Sequence, residues 1–375
     1  MIPRRFFLLG AIPAMLLGQD FIPLRARSWT TTMPDAAPVF PIGKRVPASH
    51  PLGLPPVPVP DDTPLTEETI ALGRKLFFDP VLSRDRTVSC ASCHTPSTLL
   101  SDPRRVSTGV GGKPGARQSM TIVDAVYGFS LFWDGRALTL EEQASRPVAD
   151  PDEMAHSLLG VERKLGADPE YVRLFAEAWG PGPIRWEMVA KSIASYERTL
   201  LSGNSPFDRY FYGGDKTAMN ESAIRGLELF RMATLLGPNC VSCHRILPEH
   251  ATFTEVRFHN TGVAWDPDDQ SFRDVGHYAV TGDPKDLGAF KVPTLRNIAL
   301  TAPYMHDGSM KTLEEVVDFY FEGGRPNPHL SGVMPHHGVP AIPPEQVPQA
   351  KADLVEFMKA LTGDLPAGVH AAGGE

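Results

Sequence analysis

The sequence Cys90-Ala-Ser-Cys93-His94 recurs as Cys240-Val-Ser-Cys243-His244, and the two motifs use all four cysteines of the chain. Each has the chemistry of covalent c-type haem attachment: two thiols that add across the haem vinyl groups, then a histidine that ligates the iron. Zinc or a redox dithiol would also use Cys-x-x-Cys. A histidine directly after the second cysteine, twice, with no cysteine to spare, favours haem. A chain of 375 residues can bury one large or two ordinary cores, and two haem motifs favour two domains.

The N-terminus reads Met1-Ile-Pro-Arg4-Arg5, then an apolar stretch over residues 6–18. A basic start before a short apolar run matches a secretory signal; a bilayer span needs about 20 residues. Arg4-Arg5-Phe6-Phe7-Leu8 hints at twin-arginine export, but that route carries folded cargo and haem is attached to an unfolded chain. Cleavage after Gly18 is one option and an uncleaved anchor is the other. Export to the bacterial periplasm fits both the signal and the haem chemistry. No later segment is apolar enough to cross a membrane. Net charge is −8, and residues 1–27 hold four Arg and one Asp, so their removal leaves −11. An acidic surface argues against nucleic acid and permits a basic redox partner by charge steering, although simple solubility explains it equally well.

Residues 28–63 read as an extended proline-rich linker, densest at Pro55-Pro56-Val-Pro58-Val-Pro60. Thr63-Pro64 then predicts a helix start, with Leu65, Ile70, Leu72 and Leu76 at roughly helical spacing before the first motif. The second half repeats the plan with Asn220 as a cap, then Ile224, Leu227 and Phe230. Ala71-Leu-Gly-Arg-Lys-Leu-Phe77 and Ile224-Arg-Gly-Leu-Glu-Leu-Phe230 look like copies. Each half closes on an amphipathic helix: Val189, Ile193, Tyr196 and Leu200 in one, Val347, Ala350, Leu354, Phe357 and Leu361 in the other. The expected fold is mainly α, two cytochrome c-like haem domains in tandem with long haem-wrapping loops. The domains run over 64–210 and 211–365, after a signal peptide or N-terminal anchor at 1–27 and before a tail at 366–375. The boundary falls near residues 202–215.

Four stretches then carry a family resemblance: Leu72-Gly-Arg-Lys-Leu-Phe-Phe-Asp-Pro80, Phe132-Trp133-Asp134-Gly135-Arg136-Ala137, Val292-Pro293-Thr294-Leu295-Arg296-Asn297 and Thr301-Ala-Pro303-Tyr-Met-His-Asp-Gly308. Over roughly residues 64–365 the chain resembles the bacterial dihaem cytochrome c peroxidases and their MauG-like relatives. The resemblance implies two covalent c-type haems, with His94 and His244 as proximal iron ligands. Electron-fed members cap the first haem with a histidine from the loop after the first motif. Here residues 95–132 hold no His and one Met, Met120. The first haem is therefore expected to be open to peroxide, with a Met120 cap as the rival.

In that open pocket the resemblance makes Glu153 the acid/base for peroxide, with Gln143 and Pro147 lining the same space. Trp133 matches a tryptophan between the haems, a stepping stone for oxidising equivalents. Opposite the second haem Tyr320 matches the tyrosine of the MauG-like branch, and Met305 is the alternative ligand. Phenolate is hard and anionic and favours oxidised iron, whereas a thioether favours the reduced state. Thr301 and Pro303 match backbone donors to a calcium ion, and Gln118 stands where an Asn donor is usual. The remaining histidines, among them His156, His259, His277, His306 and His329, read as loop or supporting residues.

The leading expectation is a periplasmic, MauG-like dihaem oxidase that uses hydrogen peroxide and oxidises a protein substrate or another reductant remotely. One alternative is a cytochrome c peroxidase detoxifying peroxide with electrons from a small periplasmic redox protein. Another, of a different class, is a non-catalytic dihaem electron carrier.

Overall fold

The computed structural model describes residues 40–232, 240–334 and 342–369. The expected signal or anchor at 1–27, the start of the linker and residues 370–375 lie outside them. The fold is mainly α, as expected. Ordered sheet among the described residues amounts to two short antiparallel pairs, Phe258–His259 with Phe290–Lys291 and Trp265–Asp266 with Ser271–Phe272.

The first helix, α1 (Glu67–Phe78), begins later than Thr63-Pro64 suggests. Thr66 is the cap: its hydroxyl accepts from the Thr69 N–H at 3.1 Å, and the Thr69 hydroxyl accepts from the Thr66 N–H at 3.2 Å. This reciprocal arrangement satisfies two donors that a helix start otherwise leaves bare. Glu67 and Glu68 then place negative charge in the first turn, where the helix dipole favours it. The helix stops at Asp79 because Pro80 disfavours α geometry in the residue before it.

Two helical groups form. In the first, α1 packs on α5 (Trp186–Glu197) and α4 (Pro169–Trp179), while α2 (Leu140–Ala149) lies on α5 and α3 (Leu158–Gly166) on α4. Leu72, Leu76, Leu165, Phe175, Val189 and Ile193 are buried there. In the second, α7 (Glu221–Arg231) and α9 (Leu313–Phe321) pack on α10 (Val347–Lys359), over Leu227, Phe230, Phe253, Val317, Leu354 and Phe357. Asn220 caps α7 as expected, accepting from the Ala223 N–H at 2.8 Å. The short helix α6 (Pro206–Phe211) spans the expected boundary, yet its Phe207 is buried in the second core.

The copied motif explains the shared geometry. A Cβ at Gly73 would overlap the Ser192 carbonyl of α5, and a Cβ at Gly226 would overlap the Asp353 carbonyl of α10. In each half a glycine lets the helix before the haem motif approach the closing helix backbone to backbone.

The described part of the proline-rich segment is extended but bound. Proline has no N–H to offer, so the segment contributes its carbonyls and the body supplies the donors. Gly53 O accepts from Arg296 Nη2 at 2.6 Å, Pro55 O from the Tyr127 hydroxyl at 2.9 Å and Pro58 O from Arg198 Nε at 3.2 Å. The strap thus touches both helical groups. Arg296 is fully buried, and its other donors reach both Asp208 oxygens at 2.9 Å and the Ala251 carbonyl at 2.7 Å.

Gly226→Ala is expected to cost about 1–3 kcal/mol by overpacking, read as a lower midpoint in denaturant unfolding of the holoprotein. Gly166→Ala, at an open position in α3, should leave that midpoint unchanged or slightly raised. Arg296→Met should cost about 3–5 kcal/mol, because it strands the buried Asp208 carboxylate; a loss below about 1 kcal/mol would contradict the pairing argument.

Candidate functional site

Both haem motifs are tight turns of one design. Cys90–Ser92 and Cys240–Ser242 are single 3-10 turns, and the histidine N–H that follows donates to the first cysteine carbonyl, at 2.9 Å for His94 and 2.8 Å for His244. The turn puts two thiols and an imidazole on one wall. All four cysteines are unbridged. Burial pushes the Cys90 and Cys240 thiols up to about 12. Each imidazole is held at its far nitrogen, His94 Nδ1 to Leu100 O at 3.0 Å and His244 Nδ1 to Phe253 O at 2.8 Å. Nδ1 must donate to a carbonyl, so the lone pair is on Nε2. Burial also lowers both histidines, His244 to about 4, so both are neutral and able to bind a metal.

The two turns line one continuous, largely apolar cavity of about 1190 Å³. A pocket for a single organic ligand runs to about 300–1,000 Å³. Size, paired thiols and correctly tautomerised imidazoles all fit two covalent haems.

On the side of the first motif, Gln143 and Pro147 stand one turn apart on α2 and both line the cavity. Pro147 removes the N–H that would have bonded the Gln143 carbonyl. Glu153 lies in the turn after α2, held by its backbone: its carbonyl accepts from Val110 N at 2.7 Å and its N–H reaches Asp150 O at 3.2 Å. Its carboxyl has no hydrogen-bond partner among the described residues and acts electrostatically on both Cys90 and Cys93. Burial first, then Asp150, pushes it up to about 6, with Arg136 opposing. Met120 also lines the cavity.

Trp133 lies where the halves meet. Its indole N–H donates to Gln118 O at 2.8 Å, and its carbonyl accepts the Lys291 N–H at 2.8 Å. His306 meets the indole edge-on at 6.4 Å and stacks on Phe290 at 3.7 Å. Behind them Arg117 reaches Asp134 at 2.6 Å and Asp274 at 2.7 Å, joining the tryptophan loop to the second half. Gln118, Thr301 and Pro303 all line the cavity. The Gln118 amide nitrogen donates to Asp102 O at 3.2 Å, which leaves its oxygen available to a hard cation.

On the side of the second motif, Tyr320 on α9 lines the cavity and is pushed well above the usual phenol range, by burial and then by Cys243 and Cys240. The residue is half-buried at the cavity wall, and its hydroxyl has no hydrogen-bond partner among the described residues. Met305 lines the same cavity, in a left-handed backbone conformation. Of the other histidines, His277 is fixed to Asp134 O at 2.7 Å and His259 to Glu255 at 3.0 Å. His259, Glu255 and Cys243 are close enough to hold a metal, but the motif commits Cys243 to haem.

Three lining residues escaped the sequence reading. Glu197, at the end of α5, carries a buried oxygen without a hydrogen-bond partner and is pushed up to about 8. Asp124 has a similar oxygen and rises to about 7. Lys291 interrupts the apolar run Ala289-Phe290-Lys291-Val292. A lone charge inside an apolar segment was the available clue.

Comparison with known proteins accords with this geometry. A family model for di-haem cytochrome c peroxidase matches residues 67–217. The methylamine utilization protein MauG of Methylorubrum extorquens is 38% identical over 311 residues, 82% of each chain. Cytochrome-c peroxidase IdrP1 of a Pseudomonas species is 37% identical, over 84% of this chain and 86% of its own. Among solved structures, a MauG-like protein associated with microbial copper homeostasis superposes with a TM-score of 0.72 at 37% identity, over 84% of this chain and 95% of its own. The peroxidase names of the family model and of IdrP1 speak for an enzyme rather than a non-catalytic carrier. The chain belongs to the di-haem cytochrome c peroxidase family, and is a haem peroxidase-type oxidoreductase built for two c-type haems.

Proposed function

We propose that this oxidoreductase works in the MauG-like manner: hydrogen peroxide reacts at the first haem, and the oxidising equivalents are shared with a second, Tyr320-ligated haem. The observation that carries the reading is the Tyr320 hydroxyl, which stands at the cavity wall beside the second motif's cysteines without a hydrogen-bond partner among the described residues. When bound, the haems supply peroxide binding and one-electron chemistry at two irons. The chain supplies the rest. Glu153, near 6 and without a competing hydrogen bond, takes the proton of an incoming peroxide and returns it to the departing oxygen. Gln143 and Pro147 shape that pocket. Trp133, hydrogen-bonded at its indole N–H and fixed by its backbone, is the stepping stone between the halves. Thr301, Pro303 and Gln118 hold a calcium ion as hard oxygen donors.

The two helical groups are read as tandem cytochrome c domains over 64–210 and 211–365, the first peroxidatic, the second carrying the Tyr320- or Met305-ligated haem. The chain is placed in the periplasm. Its partners are hydrogen peroxide and a periplasmic redox protein or protein substrate. No helix among the described residues is long and apolar enough to cross a membrane. A second reading, an electron-fed cytochrome c peroxidase, rests on Met305 lining the same cavity.

Peroxide added to the fully ferric protein without reductant should alter the spectra of both haems; a response that waits for prior reduction of one haem would favour the electron-fed reading. Tyr320→Phe should change the absorption spectrum of the second haem with haem content preserved, and an unchanged spectrum would remove Tyr320 as the ligand. Glu153→Gln should slow the reaction with peroxide by about 10²–10⁴-fold. As a base Glu153 must be ionised, so the wild-type rate should fall as pH drops through about 6, and Glu153→Gln should lose that limb.

A further inference from the structure

Lys291 is a cation in a place that calls for a counter-ion, and no ion pair is formed by it among the described residues. It ends the short strand Phe290–Lys291, and its N–H donates to the Trp133 carbonyl at 2.8 Å. The residue is therefore pinned to the tryptophan loop of the other half. Its side chain is partly buried and lines the cavity shared by both haem motifs. Burial alone acts on its ammonium, lowering it to about 8, with no carboxylate working the other way.

The neighbouring cations differ. Arg117 has Asp134 and Asp274, Arg136 has Asp134, and Arg296 has Asp208. Asp134 and Asp274, the carboxylates of the loops that meet at Trp133, are thus committed to arginines. A lysine facing a desolvated cavity without a partner leaves an uncompensated charge, which proteins avoid unless something else supplies the anion. A haem brings two propionates into such a cavity.

We propose that Lys291 binds a haem propionate at the junction between the two halves and thereby sets the reduction potential of that haem. The inference rests on the reading of both motifs as haem sites. An ammonium beside a propionate removes the anion's repulsion of an added electron. In a cavity of low dielectric that repulsion is strong, and net charge near the iron is one of the protein's levers on its potential. Loss of the lysine charge must then favour the ferric form.

The test compares holoprotein carrying Lys291→Met with Lys291→Arg. Two haems per chain are first counted in the wild type by the pyridine haemochrome; failure there would overturn the haem reading, and this inference with it. Resonance Raman of the propionate bending bands and spectroelectrochemical titration of both haems follow. K291M is expected to shift the propionate bands of one haem and move its reduction equilibrium about tenfold toward ferric, which is about 59 mV for one electron. K291R should stay near wild type in both. Unchanged bands and unchanged potentials in K291M would overturn the proposal. Should K291M take up haem poorly, Lys291→Gln replaces it: a potential moved toward ferric supports the pairing, and an unmoved one overturns it.

Discussion

A cavity of about 1190 Å³ through the interior denies this chain a continuous hydrophobic core, and the rest of the structure answers to that constraint. Apolar side chains collect in separate clusters around it, one over α7, α9 and α10 and others over α1 to α5. Cohesion has to come from two other sources. One is backbone contact at Gly73 against Ser192 and at Gly226 against Asp353, which brings paired helices closer than side chains would allow. The other is polar: Arg296 ties α6, the strap and the loop after the second motif into one buried knot, and Arg117 ties the tryptophan loop to Asp274. Buried ion pairs are poor sources of net stability but stringent about geometry. Geometry is what a cavity for two rigid cofactors needs.

The parts legible in the sequence are those whose cause is local. A Cys-x-x-Cys-His turn closes on its own backbone, so the two attachment turns and their histidines could be placed from five residues each. The helices α1 and α7 were visible as a copied apolar pattern, and Asn220 as a cap. Thr66 was missed because the cap depends on Thr69 answering it, whereas Thr63-Pro64 offered the more conspicuous start. The strap was misjudged for a related reason. A proline-rich segment cannot organise itself, and the donors that fix it, Arg296, Tyr127 and Arg198, come from far along the chain. Glu197 was illegible for the opposite cause: what distinguishes it is a buried oxygen without a partner, and only the assembled cavity reveals a lack.

The two halves have the same plan and different linings, and the difference is chemical rather than geometric. Both turns offer neutral imidazoles held by a backbone carbonyl. The first faces carboxyls, Glu153 near 6 and Glu197 near 8, both raised by burial. Such groups exchange protons near neutral pH, which suits a site where an O–O bond is to be broken. The second faces a phenol and a thioether, Tyr320 and Met305, which exchange no proton in that range but are able to bind iron. Relatives named for both MauG and cytochrome c peroxidase lie at nearly equal identity, so overall likeness cannot say which manner of working applies. That question reduces to which of two side chains reaches the second iron. The Tyr320 phenol acts electrostatically with both cysteines of the second motif and has no hydrogen bond among the described residues to hold it elsewhere, and on that ground Tyr320 is the stronger choice.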